Sequence, residues 1–439
     1  MTQSIPFPDG PLAWRGLQAY RQQGHIFAAL QVFHQELGDI FRFRLPGLNF
    51  VMMAGPEANR MLLVSNRNEV RWRTDSDPIS QLLGDGLLVS DGTIHDESRQ
   101  IMNPAVHKQA LERYVDTMWR YTDQVALDWT SRVGPVEMLA EMRKVAILIL
   151  MDTLFSVDYN HEMVRLWQAI MKMLQFISPG LWLLFPKIPR PQYRPALQQM
   201  NRSINNIVRT RRAAREKGQE SSLDLLDLML DAGMNDTLIR DQILTMFIAG
   251  HDTSTALLAW ALYLLGNNPS AFKKAQKEVD TVLGNSTPTM ANLANLRYLG
   301  FVIDESLRLY PPAHIGSRVT LTDLEFQGHY LPPETRLMYS IYLTHRDPKE
   351  WDQPNEFIPE RFESEGKRAY TPYAYLPFGG GPRNCIGAAF GQVEAKVVLA
   401  RILQTVDLQF VGHPVTPKMA VTLEPAEGIR MNVRQRPST

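Results

Sequence analysis

Residues 378–387 read FGGGPRNCIG, from Phe378 to Gly387, and they hold Cys385, the only cysteine of the chain. Gly379, Gly380 and Gly381 followed by Pro382 make a helix unworkable before the cysteine. The stretch after it, AAFGQVEAKVVLARIL, has apolar residues at helical spacing and good helix formers. Cys385 is therefore expected where a glycine-rich loop enters a helix. Free backbone N–H groups and the positive dipole end favour an anion at such a place. A thiol there is biased toward thiolate, which is a nucleophile or a metal ligand. Arg383 adds a positive charge two residues earlier.

A lone cysteine is most often a small buried hydrophobe, but its surroundings here form a pattern. Phe378, Gly381, Arg383, Cys385 and Gly387 spell F-x-x-G-x-R-x-C-x-G, which resembles the haem-binding loop of the cytochrome P-450 family. The resemblance implies haem b (protoporphyrin IX iron) as cofactor, with Cys385 as the iron's thiolate ligand, whose electron push favours O–O cleavage. It implies too that the glycines let backbone approach the porphyrin and that Arg383 meets a propionate.

Composition sets the frame. The 439 residues suffice for a large core. Forty-six basic residues balance 46 acidic ones, which argues against nucleic-acid binding by phosphate neutralisation. One cysteine excludes internal disulfides and fits a reducing, cytoplasmic setting. The start, MTQSIPFPDGPLAWRG, lacks the apolar region of a signal peptide. No run reaches the ~18 uninterrupted apolar residues of a membrane span.

The longest candidate helix starts at Asp236 and runs DTLIRDQILTMFIAGHDTSTALLAWALYLLG, apolar almost all round and hence expected through the centre of the fold. Ala249, Gly250, His251, Asp252, Thr253 and Ser254 interrupt it. Mid-helix glycine and buried polar groups are both costly, so the break suggests a function. It resembles the family's oxygen-side motif, Ala/Gly-Gly-x-Asp/Glu-Thr. The resemblance implies that Gly250 admits O2 beside the haem, that Ala249 meets the cofactor, and that Asp252 and Thr253 handle protons. A hydroxyl bonding back to the preceding turn is the plainer account of Thr253 and is compatible with that role.

Three further matches follow. Glu305-x-x-Arg308, with Arg361 in the PERF stretch 359–362, resembles the family's buried E-x-x-R network, a device that fixes structure more than it adds stability. His95-x-x-x-Arg99 stands where the family usually has Trp-x-x-x-Arg, and it places two donors one helical turn apart. By resemblance His95, Arg99 and Arg318 are haem-propionate partners; an arginine fork suits a carboxylate.

Taken in order, residues 1–24 are punctuated by proline and glycine, and HIFAALQVFHQELG reads as a helix ending at Gly38. Phe41 and Phe43 alternate with Arg42 and Arg44 before a Pro46-Gly47 turn, as in a hairpin. Residues 71–94 read as loop, and 405–434 as short strands. The Met-, Leu- and Trp-rich segment 161–200 is broken by prolines and stands where the family has its mobile lid; the part at 180–188 could touch a membrane surface.

The expectation is one mainly α domain over 1–439, the cytochrome P-450 fold, with a long central helix over the haem and a small β-rich lobe near 39–54 and 314–345. No fused reductase fits the length, so electrons would come from a ferredoxin or flavodoxin system. The reaction implied is O2-dependent hydroxylation or epoxidation of a lipophilic small molecule by a monomer. A peroxide-using or rearranging enzyme, or a haem protein that only binds a ligand, are the alternatives; the presence of both Asp252 and Thr253 favours the monooxygenase.

Overall fold

The computed structural model describes residues 3–45, 48–74, 77–179, 193–218, 222–284, 286–363 and 370–437, with the side chains at 45, 48 and 161–165 also outside the description. The Pro46-Gly47 turn and the 180–188 segment therefore lie outside the described residues.

Apolar patterning built the expected centre. One helix runs from Asp236 to Asn267, capped by Asn235, whose side chain accepts from the Leu238 N–H. Its closest neighbour is the Met138–Phe155 helix, itself buried on nearly every side. Further helices, including Val115–Thr130, Pro269–Leu283, Arg297–Leu309 and Ala388–Thr405, complete one continuous apolar core around them. The fold is mainly α, as expected.

The β-rich lobe is a five-stranded sheet in the order Ile40–Leu45, Leu48–Met53, Arg336–Ser340, Ile315–Thr320, Val70–Arg71. The first two strands pair antiparallel with Phe41 opposite Met52 and Phe43 opposite Phe50. Leu48–Met53 and Arg336–Ser340 run parallel, so segments far apart in sequence share one sheet. The C-terminal region forms Val406–Phe410, Pro417–Met419, Leu423–Pro425 and Arg430–Gln435, the short strands expected there.

Two segments depart from the sequence reading. Gly10–Gln23 is a helix, because Asp9 accepts from the Leu12 N–H, Pro11 sits in the first turn where it is tolerated, and Gly24 closes the end at φ 76. Pro78–Leu83 is a short helix inside the supposed loop 71–94, again with proline in its first turn. In both, a proline in the first turn acts as a starter.

Candidate active site

The cysteine loop is built by backbone. The Phe378 carbonyl accepts from the Cys385 N–H at 2.8 Å, and a short turn over Gly381–Arg383 leads to the helix starting at Ala388. Gly381 has φ +66, and a Cβ there would lie 2.2 Å from the Leu63 carbonyl oxygen. No side chain fits that approach. Phe378 packs partly buried against the main core, and Gly387 is the residue before the helix, close to the Cys385 sulfur.

The loop is held from several sides. Arg99 donates to the Asn384 carbonyl and to its side-chain oxygen, both at 2.8 Å, which brings a cation beside Cys385. Arg383 reaches the Ser90 carbonyl and pairs with Asp91 at 2.7 Å. His345 Nε2 accepts from the Leu376 N–H at 3.0 Å, while its Nδ1 lies 3.2 Å from the Arg308 carbonyl. A ring that accepts at Nε2 must donate from Nδ1, so it is neutral, in keeping with burial and Arg308, which hold its pKa at about 3.

That carbonyl belongs to the E-x-x-R network. Arg308 donates through Nε and Nη2 to the two carboxylate oxygens of Glu305, at 2.7 and 2.8 Å. Its remaining N–H groups reach the carbonyls of His345, Pro354 and Glu356. Arg361 Nε donates to Glu305 at 2.9 Å, as does the Ile358 N–H. Both Glu305 and Arg308 have no exposed surface. Glu305 and Arg308 form the buried, fully bonded network that the sequence suggested, and Arg361 closes it from a partly exposed position.

The thiol differs from expectation. Cys385 has accessible surface yet sits deep enough that burial pushes its pKa up; a Gly387 backbone hydrogen bond and the Arg99 charge oppose this without reversing it. The cation that opposes the upward shift is Arg99, since the Arg383 charge is spent on Asp91. A metal bound at Cys385 would supply the positive charge that favours the thiolate.

Arg383, Arg99 and Arg318 gather near His95: the Arg318 charge weighs against the Arg383 charge, and the Arg383 and Arg99 charges press on His95. His95 is buried, with Nδ1 2.8 Å from Asp96, and burial chiefly lowers its pKa. Arg318 is 5% exposed, donates to the Ser317 carbonyl, lies 5.4 Å over the Tyr339 ring, and has no carboxylate partner among the described residues. A buried guanidinium without a counter-ion is costly, and a haem propionate is the group this arrangement fits.

The central helix opens at one place. From Asp241 to Leu262 every residue is buried except Ala249, Gly250 and Thr253, positions i, i+1 and i+4 of one face. Thr253 Oγ1 donates to the Ala249 carbonyl at 2.6 Å, the back-bond anticipated. Gly250 needs correcting: its missing side chain makes room for Leu150, whose Cδ1 lies 2.7 Å from where a Cβ would be. The glycine serves the close approach of the Met138–Phe155 helix, and only its backbone reaches the opening. Before the opening, Ile243, Leu244, Phe247 and Ile248 are core, buried at 2% exposure or less.

Asp252 points away from Thr253 into a network that sequence reasoning missed. Its Oδ2 accepts from Thr422 Oγ1 at 2.8 Å, and its Oδ1 lies 3.7 Å from Arg143, which itself pairs with Glu424. Burial, then the Glu424 charge, raise Asp252 to about 6 against the pull of Arg143 and Thr422. Asp252 Oδ1, Arg143 Nε and both ring nitrogens of His251 are buried without hydrogen-bond partners. His251 is held near 3 by burial and the Arg143 charge. Asp252, Arg143 and Glu424 line a cavity of about 950 Å³ with Trp167, Met171 and Met419. A larger cleft, about 1550 Å³, shares no residue with any motif.

Next along the helix, Ser254 donates to Glu394 at 2.5 Å, tying the central helix to the helix that follows Cys385. Burial pushes Glu394 up to about 8, so it is a neutral acid at pH 7.

Comparison with known proteins agrees with this geometry. The family model described as Cytochrome P-450 matches residues 5–430. Cyclooctatin synthase of Streptomyces melanosporofaciens is 32% identical over 407 residues, covering 90% of this chain and 88% of that protein. The putative cytochrome P-450 139 of Mycobacterium tuberculosis is 29% identical, covering 93% and 97%. Protein LUTEIN DEFICIENT 5, chloroplastic, of Arabidopsis thaliana is 28% identical, covering 98% and 77%. No described helix is long and apolar enough to cross a membrane. A match of this span, on a chain whose only cysteine sits in a glycine loop beside a buried unpaired arginine, leaves one conclusion: the chain belongs to the cytochrome P-450 family, whose members bind haem through a cysteine thiolate and act as monooxygenases.

Proposed function

We propose that residues 1–439 form one monomeric, cytoplasmic domain that hydroxylates or epoxidises a lipophilic small molecule with O2, using electrons from a separate ferredoxin or flavodoxin-type partner. The observation that carries the reading is the pairing of one accessible cysteine in a glycine loop with one opening, at Ala249, Gly250 and Thr253, in an otherwise buried helix. Bound haem supplies O2 activation at iron. Cys385 is the ligand, Arg318 the principal propionate partner, with Arg99 and Arg383 adding positive charge and His95 beside them.

Thr253 offers a hydroxyl that donates and accepts at the opening. Asp252, on the adjacent position and about 100° round the helix, takes up and releases a proton that it can exchange through the cavity side. With its pKa near 6 it is poised to do so at working pH. Trp167, Met171 and Met419 support an apolar substrate body, and the Arg143–Glu424 pair adds a polar edge to the same cavity.

Cys385→Ser tests the centre of this. The wild type should give the thiolate type of reduced, CO-bound spectrum, and the variant should fold yet lose it. A wild-type spectrum of the histidine-ligated type would overturn the assignment. NADPH-linked turnover with surrogate partners then separates oxygenation from mere ligand binding.

A further inference from the structure

A second polar cleft, of about 450 Å³, lies where the first two helices meet the segment after the Ile341–Thr344 helix. Its floor is Arg346, 7% exposed. The guanidinium lies 4.0 Å over the Tyr342 ring and 5.4 Å over the Tyr310 ring. It has no carboxylate partner among the described residues, and its Nη1 is buried without a hydrogen bond. The adjacent acid does not answer it: Asp347 Oδ1 accepts from the Lys349 N–H at 2.9 Å, and a carboxylate oxygen of Asp347 lies within 4.8 Å of His34 and Asp39.

The rest of the cleft supplies donors and no acid. His25 accepts from the Ala28 N–H through Nδ1, leaving its proton on Nε2, and burial together with the Arg346 charge keeps the ring neutral. Gln31, Gln35 and Asn355 contribute amides, and among the described residues no aspartate or glutamate lines the cleft. An uncompensated buried cation ringed by neutral donors is a site for an anion.

We propose that this cleft binds a free small oxyanion, a carboxylate or phosphate group, with Arg346 as its counter-ion and the faces of Tyr342 and Tyr310 as walls. The occupant would tie the Ile26–Leu37 helix to the loop at 346–355 and to Pro417 at the start of the C-terminal hairpin. The site is independent of the oxygen chemistry, and its test needs no turnover.

The test is calorimetric titration of the haem-loaded protein with inorganic phosphate, and separately benzoate, against chloride of equal ionic strength, with the melting temperature followed alongside. One site that saturates, with a rise in melting temperature that chloride does not give, is expected; the tighter of the two probes tells phosphate from carboxylate. Gln31→Glu places a carboxylate in the cleft, so it should raise the melting temperature without added anion and abolish the response. Arg346→Gln should lower affinity at least tenfold. No saturable response in the wild type, or an unchanged response in Gln31→Glu, would overturn the proposal even if Arg346→Gln fails to fold.

Discussion

Two buried ionic groups of this protein contrast sharply. In Glu305–Arg308–Arg361 every charge is answered: Glu305 receives both arginines and a backbone N–H, and Arg308 spends its other donors on three carbonyls. In Arg143–Asp252–Glu424, with His251 beside it, four buried polar atoms have no partner and the aspartate is raised to about 6. A satisfied network specifies one structure. An unsatisfied one keeps protonation states close in energy, which proton transfer requires. Both are centred on buried charges, Glu305 with Arg308 and Arg143 with Asp252, so burial alone does not distinguish structure from chemistry; the count of unmet hydrogen bonds does.

The contrast can be broken most forcefully at the satisfied end. Glu305→Ala and Arg308→Ala each strand a buried charge, at a cost of ~3–5 kcal/mol, comparable to much of a domain's stability. Little haem-loaded protein should be recovered, and normal yield in both would erase the distinction.

Asp252→Asn should leave the fold and the CO spectrum intact while slowing turnover by about 10²-fold or more, the usual worth of a positioned proton donor. The pH profile sharpens this. With the folded pKa raised from 3.8 to about 6, the protonated form is favoured in the fold. Stability linked to this group is therefore full below pH ~4, falls as pH rises toward 6, and is level above it. Turnover should show a limb near 6 that Asp252→Asn removes.

Thr253→Ala should have a subtler effect. Reductant consumption continues, product per NADPH falls and peroxide rises. Wild-type coupling in this variant would leave Thr253 only its bond to the Ala249 carbonyl.

The smallest effect is expected from Glu424→Gln. Removing that charge withdraws one cause of the raised Asp252 pKa and frees Arg143 to pair with Asp252. The limb near 6, where turnover falls as Asp252 ionises, should move down by up to about one pH unit, a differential of about 1.4 kcal/mol. An upward move would mean that Arg143, released, turns away.

What was legible in the sequence follows the range of the interaction. The glycine loop and the Asp236–Asn267 helix carry local signals, glycine and proline punctuation and apolar periodicity, and they lie where the pattern put them. The helix at Gly10–Gln23 also had a local signal, Asp9 before Pro11, that was outweighed by the prolines around it. The partners of Asp252 had none. Arg143 and Glu424 are 281 residues apart, and nothing in either neighbourhood marks it as facing the other. Gly250 was misplaced for a related reason: a glycine announces close approach but not which neighbour approaches, and Leu150 is known only from packing.

The clamps on the cysteine loop bear on the order of assembly. Asn384 is held by Arg99 across 285 residues, Arg383 by Ser90 and Asp91 across 293 and 292, and Gly381 rests on the Leu63 carbonyl. The receiving surface is synthesised early and waits for a loop near the other end of the chain. Contacts of such separation are slow to close, because chain entropy is lost before they form. Cofactor capture is thus a late step of folding, and a nascent or truncated chain ending before Pro382 would carry the complementary half of the cradle with nothing to grip.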